Sequence, residues 1–493
     1  MDKSQIKKIV VHAANCGLIL LVLFQASCLA TFKFKPLPST PVWGDAYAIF
    51  RDDFPFEISP KTKDISTVIP PARPGCKVKL LPVSVENFEV KYFLLEKAQR
   101  SIKLQTYILY SDPVSKKAVE ILYKKKAEGV DVRFIADCYT KYIPKDQMLY
   151  HKMTRNGLDL LGYEPLYFSV SGDPNYVIDV NEINMRFHEK YWIVDDYVGI
   201  TGGTNISQEY AYYNYIPRLL WRDLDVILIG QVVKDMSRAF DENYVYFSDK
   251  RLDRPDIINP QFYKQVLKKN KKELAKGEIA AKTEIIDPTE AIKIDNLTDD
   301  NALVRFIRHR PRYQETYIHQ VYIHLFKTAK RKILIENSYI LMDDALFQAI
   351  TDAARRGVEV VIVTNCLKTD DVFGLAPLTR YFYLPLMEAG IKIYEWQGIY
   401  PGKGSLHAKY AVFDDDISII GSYNLDPRST FLNSEDIVII RSRKAAEALR
   451  DWTYNVDIRQ SKAVTMEQAK KWAKPDSPGR VWTSFAKLFW DWW

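Results

Sequence analysis

The sequence predicts an α/β protein built from two copies of one domain. Three observations carry that prediction. Residues 187–205 read FHEKYWIVDDYVGITGGTN, and residues 406–424 read LHAKYAVFDDDISIIGSYN, with His-x-Lys, Asp, a glycine pair or Gly-Ser, and Asn at the same spacing. AQRSIKLQTYIL from residue 98 returns as AKRKILIENSYIL from residue 329. GVDVRFIADC from residue 129 returns as GVEVVIVTNC from residue 357. Repetition of this kind is the mark of duplicated structural units.

Length agrees with two domains. A chain of 493 residues is too long for one ordinary core. Its 69 basic and 62 acidic side chains leave a net charge of +7, a mixed solvated surface with a weak bias toward anionic partners. The five cysteines form no C-x-x-C pair, which argues against a zinc site, and their scatter implies no disulfide framework.

Taken in order, residues 1–35 carry Lys3, Lys7 and Lys8 before an apolar run of about bilayer-spanning length. Three readings stay open: an uncleaved anchor, a lipoprotein acylated at Cys28, or a cleaved signal or buried helix. Residues 36–75 are rich in proline and read as a tether. The first domain is expected over residues 76–255. Within it, residues 87–97 read as a helix, 101–109 as a strand, 115–128 as a basic helix stopped by Gly129, and 130–136 as a strand. A strand-helix-strand unit implies parallel pairing, so each domain is expected to hold a mixed, mostly parallel sheet flanked by helices. Residues 256–300 are lysine-rich and read as a linker with a surface helix. The second domain is expected over residues 301–460. A tail at residues 461–493 ends in RVWTSFAKLFWDWW, an aromatic amphipathic stretch suited to a membrane interface.

The repeated stretch carries the chemistry. Between Lys and Asp it is aromatic and β-branched, as strands are, and the Asp-Asp pair is a turn signal, so each copy reads as a β-hairpin. Alternation along a strand puts His188 and Lys190 on one face and Glu189 on the other. His407 and Lys409 flank Ala408 in the same way. Two imidazoles fit one nucleophile and one acid, because histidine alone changes charge near neutral pH unaided. Lysine and asparagine supply donors for a phosphate and its transition-state charge. Two-step phosphoryl transfer through such groups needs no metal and no cofactor. A pseudo-two-fold arrangement would bring both hairpins to one cleft.

The paired motif resembles the phospholipase D superfamily. GSYNLDPRSTFLNSEDIVII after the second copy resembles the bacterial cardiolipin synthase branch, and GGTNISQEY with WRDLDVILIGQVV after the first copy resembles its cardiolipin synthase C subgroup. The resemblance covers residues 75–455. It implies tandem phospholipase D-like domains and a phosphohistidine intermediate, with His188 as nucleophile and His407 as acid and base. Lys190, Lys409, Asn205 and Asn424 are expected on the phosphate oxygens. Asp195 and Asp414 complete the motif and read as hairpin supports. Each histidine needs an orienting carboxylate. Glu435 stands 28 residues after His407, where relatives place that group. In the first half, Asp223 is the counterpart by local motif match.

The same resemblance implies phospholipid substrates, with phosphatidylglycerol as acceptor and phosphatidylethanolamine as a candidate donor. It also implies a bacterial inner-membrane location and a candidate accessory protein. Hydrolysis to phosphatidic acid uses the same residues and stays open as an alternative. A nuclease would not need the apolar start and the aromatic tail, so no nucleic-acid partner is expected. A dead lipid-binding scaffold would not need two intact His-Lys pairs.

Overall fold

The computed structural model describes residues 70–137, 144–163, 185–211, 221–247, 296–311, 315–372, 374–399 and 404–474. The expected anchor with Cys28, most of the tether and linker, and the aromatic end of the tail lie outside these residues. Among the described residues, no helix is long and apolar enough to cross a membrane.

Among the described residues, fifteen strands form one sheet, β1 (Arg73–Leu81) to β15 (Ser461–Ala463), in the order β15-β11-β10-β9-β12-β13-β14-β8-β1-β7-β6-β5-β2-β3-β4. β15 aside, the order is a palindrome about the antiparallel pair β1 and β8 (Asp299–His309). Strands β1 to β7 on one side match β8 to β14 on the other. This is the expected tandem duplication about a pseudo-two-fold axis, with the two copies fused edge to edge.

The expected predominance of parallel pairing is corrected. Only β2–β3, β3–β4, β9–β10 and β10–β11 are parallel. The other ten ladders are antiparallel. Parallel pairing needs a helical crossover, and only the outer part of each copy has one. The motif hairpins and the central strands join without it.

The local reading of the crossovers holds with small shifts. Residues Ser101–Thr106 form β2, Pro113–Ala127 form a helix, and Asp131–Asp137 form β3. The helix begins at a capping box between Asp112 and Ser115, with proline in its first turn. It stops at Gly129, whose φ of +88° is left-handed; its counterpart Gly357 has φ +91°. The strands start earlier than the expected domain edges, since β1 opens at Arg73 and β8 at Asp299. The start of the expected tail also belongs to the second domain. β15 pairs with β11 (Lys392–Trp396), and Trp472 packs 6.0 Å from Tyr383, with the Arg380 guanidinium over its ring.

Burial follows the duplication. One apolar cluster fills the first copy and another the second. A third joins residues of both, including Val78, Tyr191, Leu228, Val304, Tyr410 and Ile440. That shared core explains why the two hairpins hold a fixed relation.

Candidate active site

The first hairpin is β5 (Tyr191–Val194) and β6 (Val198–Gly202); the second is β12 (Tyr410–Phe413) and β13 (Ile417–Gly421). The motif aspartates sit in the turns of these hairpins. Asp195, Asp196 and Asp414 take positive φ values of 57°, 55° and 49°, a conformation aspartate tolerates better than most residues. The Asp195 carboxylate accepts from the backbone amides of Gln99, Arg100 and Ser101. The Asp414 carboxylate does the same for Lys330, Arg331 and Lys332. Both sit in the turns, at the far end of each hairpin from its histidine.

His188 and His407 precede their strands by a few residues, and both line one cavity of about 870 Å³. Asn205 and Asn424 line it too, as do Arg186, Arg428, Tyr107 and Trp221. The two stretches that are distant in sequence therefore meet at one cleft.

The orienting carboxylates are crossed. His188 Nδ1 lies 2.8 Å from Glu435 of the second copy, and His407 Nδ1 lies 2.7 Å from Asp223 of the first. An ionised carboxylate only accepts, so each Nδ1 donates to its carboxylate and each Nε2 is left for the reaction. Backbone bridges enforce the crossing. The His188 amide donates to Ser434 O and the Ser434 amide to Arg186 O, both at 2.8 Å. The His407 amide donates to Arg222 O, and the Arg222 amide donates to Ser405 O, both at 2.7 Å.

Lys190 and Lys409 are not among the residues that line the cavity. Lys190 Nζ donates to His188 O at 2.6 Å, and Lys409 Nζ donates to His407 O and to Ser338 Oγ. Asn205 is held by Tyr210, to which it donates at 2.8 Å, and by the Ile108 amide. Asn424 Oδ1 is buried without a partner.

Burial dominates the electrostatics. It lowers Lys190 to about 7 and Lys409 to about 8, against the upward pull of Glu435 and Asp223. It holds His188 well below the usual imidazole range, and Lys190 and Lys409 push the same way. His407 is lowered as well, by burial and Lys409, but Asp223 resists. Burial raises Glu435, whereas His407 and Lys409 overcome burial at Asp223 and keep its carboxyl below the usual range.

Several residues of the site escaped the sequence reading. Ser422, Ser429 and Asn433 donate to Glu435. Ser422 stands in the repeated stretch, and Ser429 and Asn433 in the segment just after it that carries the family resemblance, so the signal was present without a role attached to it. Tyr107 meets His188 edge-on at 4.9 Å, and Trp221 and Tyr210 flank His407 at 4.9 and 5.4 Å. Those neighbours have no counterpart in sequence spacing.

A family model described as cardiolipin synthase, PLD-like domain, matches residues 93–242 and 322–455. A cardiolipin synthase of Geobacillus thermodenitrificans is 27% identical over 354 residues, covering 71% of this chain and 60% of that protein. Cardiolipin synthase A of Pseudomonas putida is 25% identical over 396 residues, covering 80% and 71%. The chain thus spans about 60% of the length of the Geobacillus relative. The solved phosphatidylserine synthase of Haemophilus influenzae shares the fold, with a TM-score of 0.60 at 15% identity over 84% of this chain and 92% of that one.

Proposed function

The chain belongs to the phospholipase D-like family of the cardiolipin synthase type, and on that premise we propose that it is a phosphatidyltransferase making cardiolipin. The observation that carries the reading is the single cavity shared by two histidines, each with its own carboxylate.

His188 Nε2 attacks the phosphorus of a donor phospholipid and forms a phosphohistidine. The bond to the departing headgroup oxygen breaks, and His407 gives that oxygen its proton. His407 then takes the proton of an incoming phosphatidylglycerol hydroxyl. That oxygen attacks the phosphorus and expels His188, completing cardiolipin. Phosphatidylglycerol or phosphatidylethanolamine serves as donor, releasing glycerol or ethanolamine.

The two dyads favour this division of labour. His188 is held neutral by burial and by two lysines, which leaves its lone pair available. Asp223 opposes those effects at His407 and stabilises a proton there. Lys190 and Lys409 supply positive potential to the phosphate, and Asn205 and Asn424 face it from the cavity wall. Asp195 and Asp414 act through the hairpins. Residues 1–35 and the aromatic tail hold the enzyme at the bacterial inner membrane, where its lipids are.

Membranes expressing the chain should gain cardiolipin by mass spectrometry, and His188→Ala and His407→Ala should each abolish the gain. Phosphatidic acid in place of cardiolipin would mark a hydrolase. Full activity in either single variant would end the shared-site mechanism.

A further inference from the structure

The residue just before each orienting carboxylate is the one that clasps the opposite histidine by its backbone. In one half it is Ser434, and in the other it is Arg222. Glu435 needs little more, because Ser422, Ser429 and Asn433 fix its carboxylate. Among the described residues, Asp223 has no such set. Beyond His407, its carboxylate accepts among them only from the adjacent Leu224 amide, at 2.8 Å. Its aim therefore depends on where its backbone is held.

Arg222 holds it. The Arg222 carbonyl accepts from the amides of His407 and Ala408, at 2.7 and 3.1 Å. Its Nη1 donates to Asp223 O and to Pro82 O. Its Nε and Nη2 fork onto the two oxygens of Asp457, both at 2.9 Å. A bidentate pair of this kind fixes orientation as well as position. Asp457 is fully buried at the end of a π-helical turn, Thr453–Asp457, two residues past the stretch matched by the family model. A carboxylate buried there has an evident purpose if it anchors the clasp.

We infer that Arg222, fastened by Asp457, is the positioning residue that aligns Asp223 with His407. The inference rests on the phosphatidyl-transfer reading for its kinetic consequence but not for its structural one.

The test uses the full chain and three variants: Arg222→Lys, Asp457→Asn, and the double variant Arg222→Met with Asp457→Leu. The double variant removes both buried charges together, which avoids leaving one unpaired. Two quantities are read. One is the pH dependence of diethylpyrocarbonate modification at His407 and His188, resolved by peptide mass spectrometry. The other is kcat and KM for cardiolipin formation. Arg222→Lys should lower kcat about 10²-fold, as misplacement of a catalytic group does, with KM within about twofold. The midpoint for His407 modification should fall by about one pH unit as its carboxylate loses aim, while that of His188 stays. Asp457→Asn should show the same pattern more weakly, and the double variant should show it with an unchanged thermal transition. An unmoved His407 midpoint in folded variants overturns the inference, as does an equal shift at both histidines. If the parent chain transfers no phosphatidyl group, the proposed reaction fails while the modification profiles still decide the clasp.

Discussion

The two half-sites reach one geometry by different means. At His188 the partner is a glutamate, held by three side-chain donors. At His407 it is an aspartate, one methylene shorter, held through its backbone. The loop residue over each carboxylate follows the difference. Ser422 donates to Glu435, while a Cβ on its counterpart Gly203 would fall inside the Asp223 carboxylate. A buried ion pair repeats the contrast, since Lys91 bonds Asp225 at 2.6 Å where the other half has Ile437. The comparison teaches that the duplication preserved the catalytic constellation and let its supports diverge.

The histidines offer the largest break in that comparison. With a phosphodiester whose leaving group needs no proton, His407→Ala should still form phosphohistidine, and His188→Ala should not, as rapid-quench labelling would read. Asp223→Asn and Glu435→Gln should each cost about 10³–10⁴ in kcat, because the imidazole loses its fixed tautomer. Exchanging the loop residues sharpens the contrast. Gly203→Ser should cost about 10²-fold by displacing Asp223. Ser422→Gly removes one donor of several and should cost about tenfold, by the strength of a hydrogen bond to a charged group. Initial rates of cardiolipin formation decide both.

The pH profile separates the halves more gently. In the proposed mechanism neutral His188 is the active form, so kcat/KM should rise with pH through its strongly lowered value. The same mechanism needs protonated His407 in the first step, so the rate should fall through its own lowered value. Both directions place the maximum on the acid side of about 6.5, the ordinary imidazole value. Asp223→Asn should move only the falling limb, toward lower pH. The smallest effects belong to the turns. Asp195→Ala and Asp414→Ala each remove a carboxylate that accepts from three backbone amides and should lower stability by about 1–3 kcal/mol in denaturant titrations, with kcat changing least.

Much of this was legible in the sequence because repetition exposes it. The paired His-Lys spacing located both imidazoles, and the glycines after the crossover helices marked where parallel pairing begins. Two things were hidden. The parallel share was overestimated because a local strand-helix-strand pattern says nothing about how β1 and β8 pair across the middle of the sheet. The crossing of Asp223 and Glu435 was hidden because spacing after His407 names a carboxylate without naming the histidine it serves. Arg222 and Asp457 are 235 residues apart, a contact that only the fold creates.

The exchanged carboxylates bear on how such a molecule arises. A single copy on its own would own a histidine whose acidic companion sits elsewhere, so it would be inert until it mated with a second copy. Joining the two into one polypeptide makes that mating permanent and independent of concentration. It also frees each half from having to be its own partner, so a change on one side no longer repeats on the other.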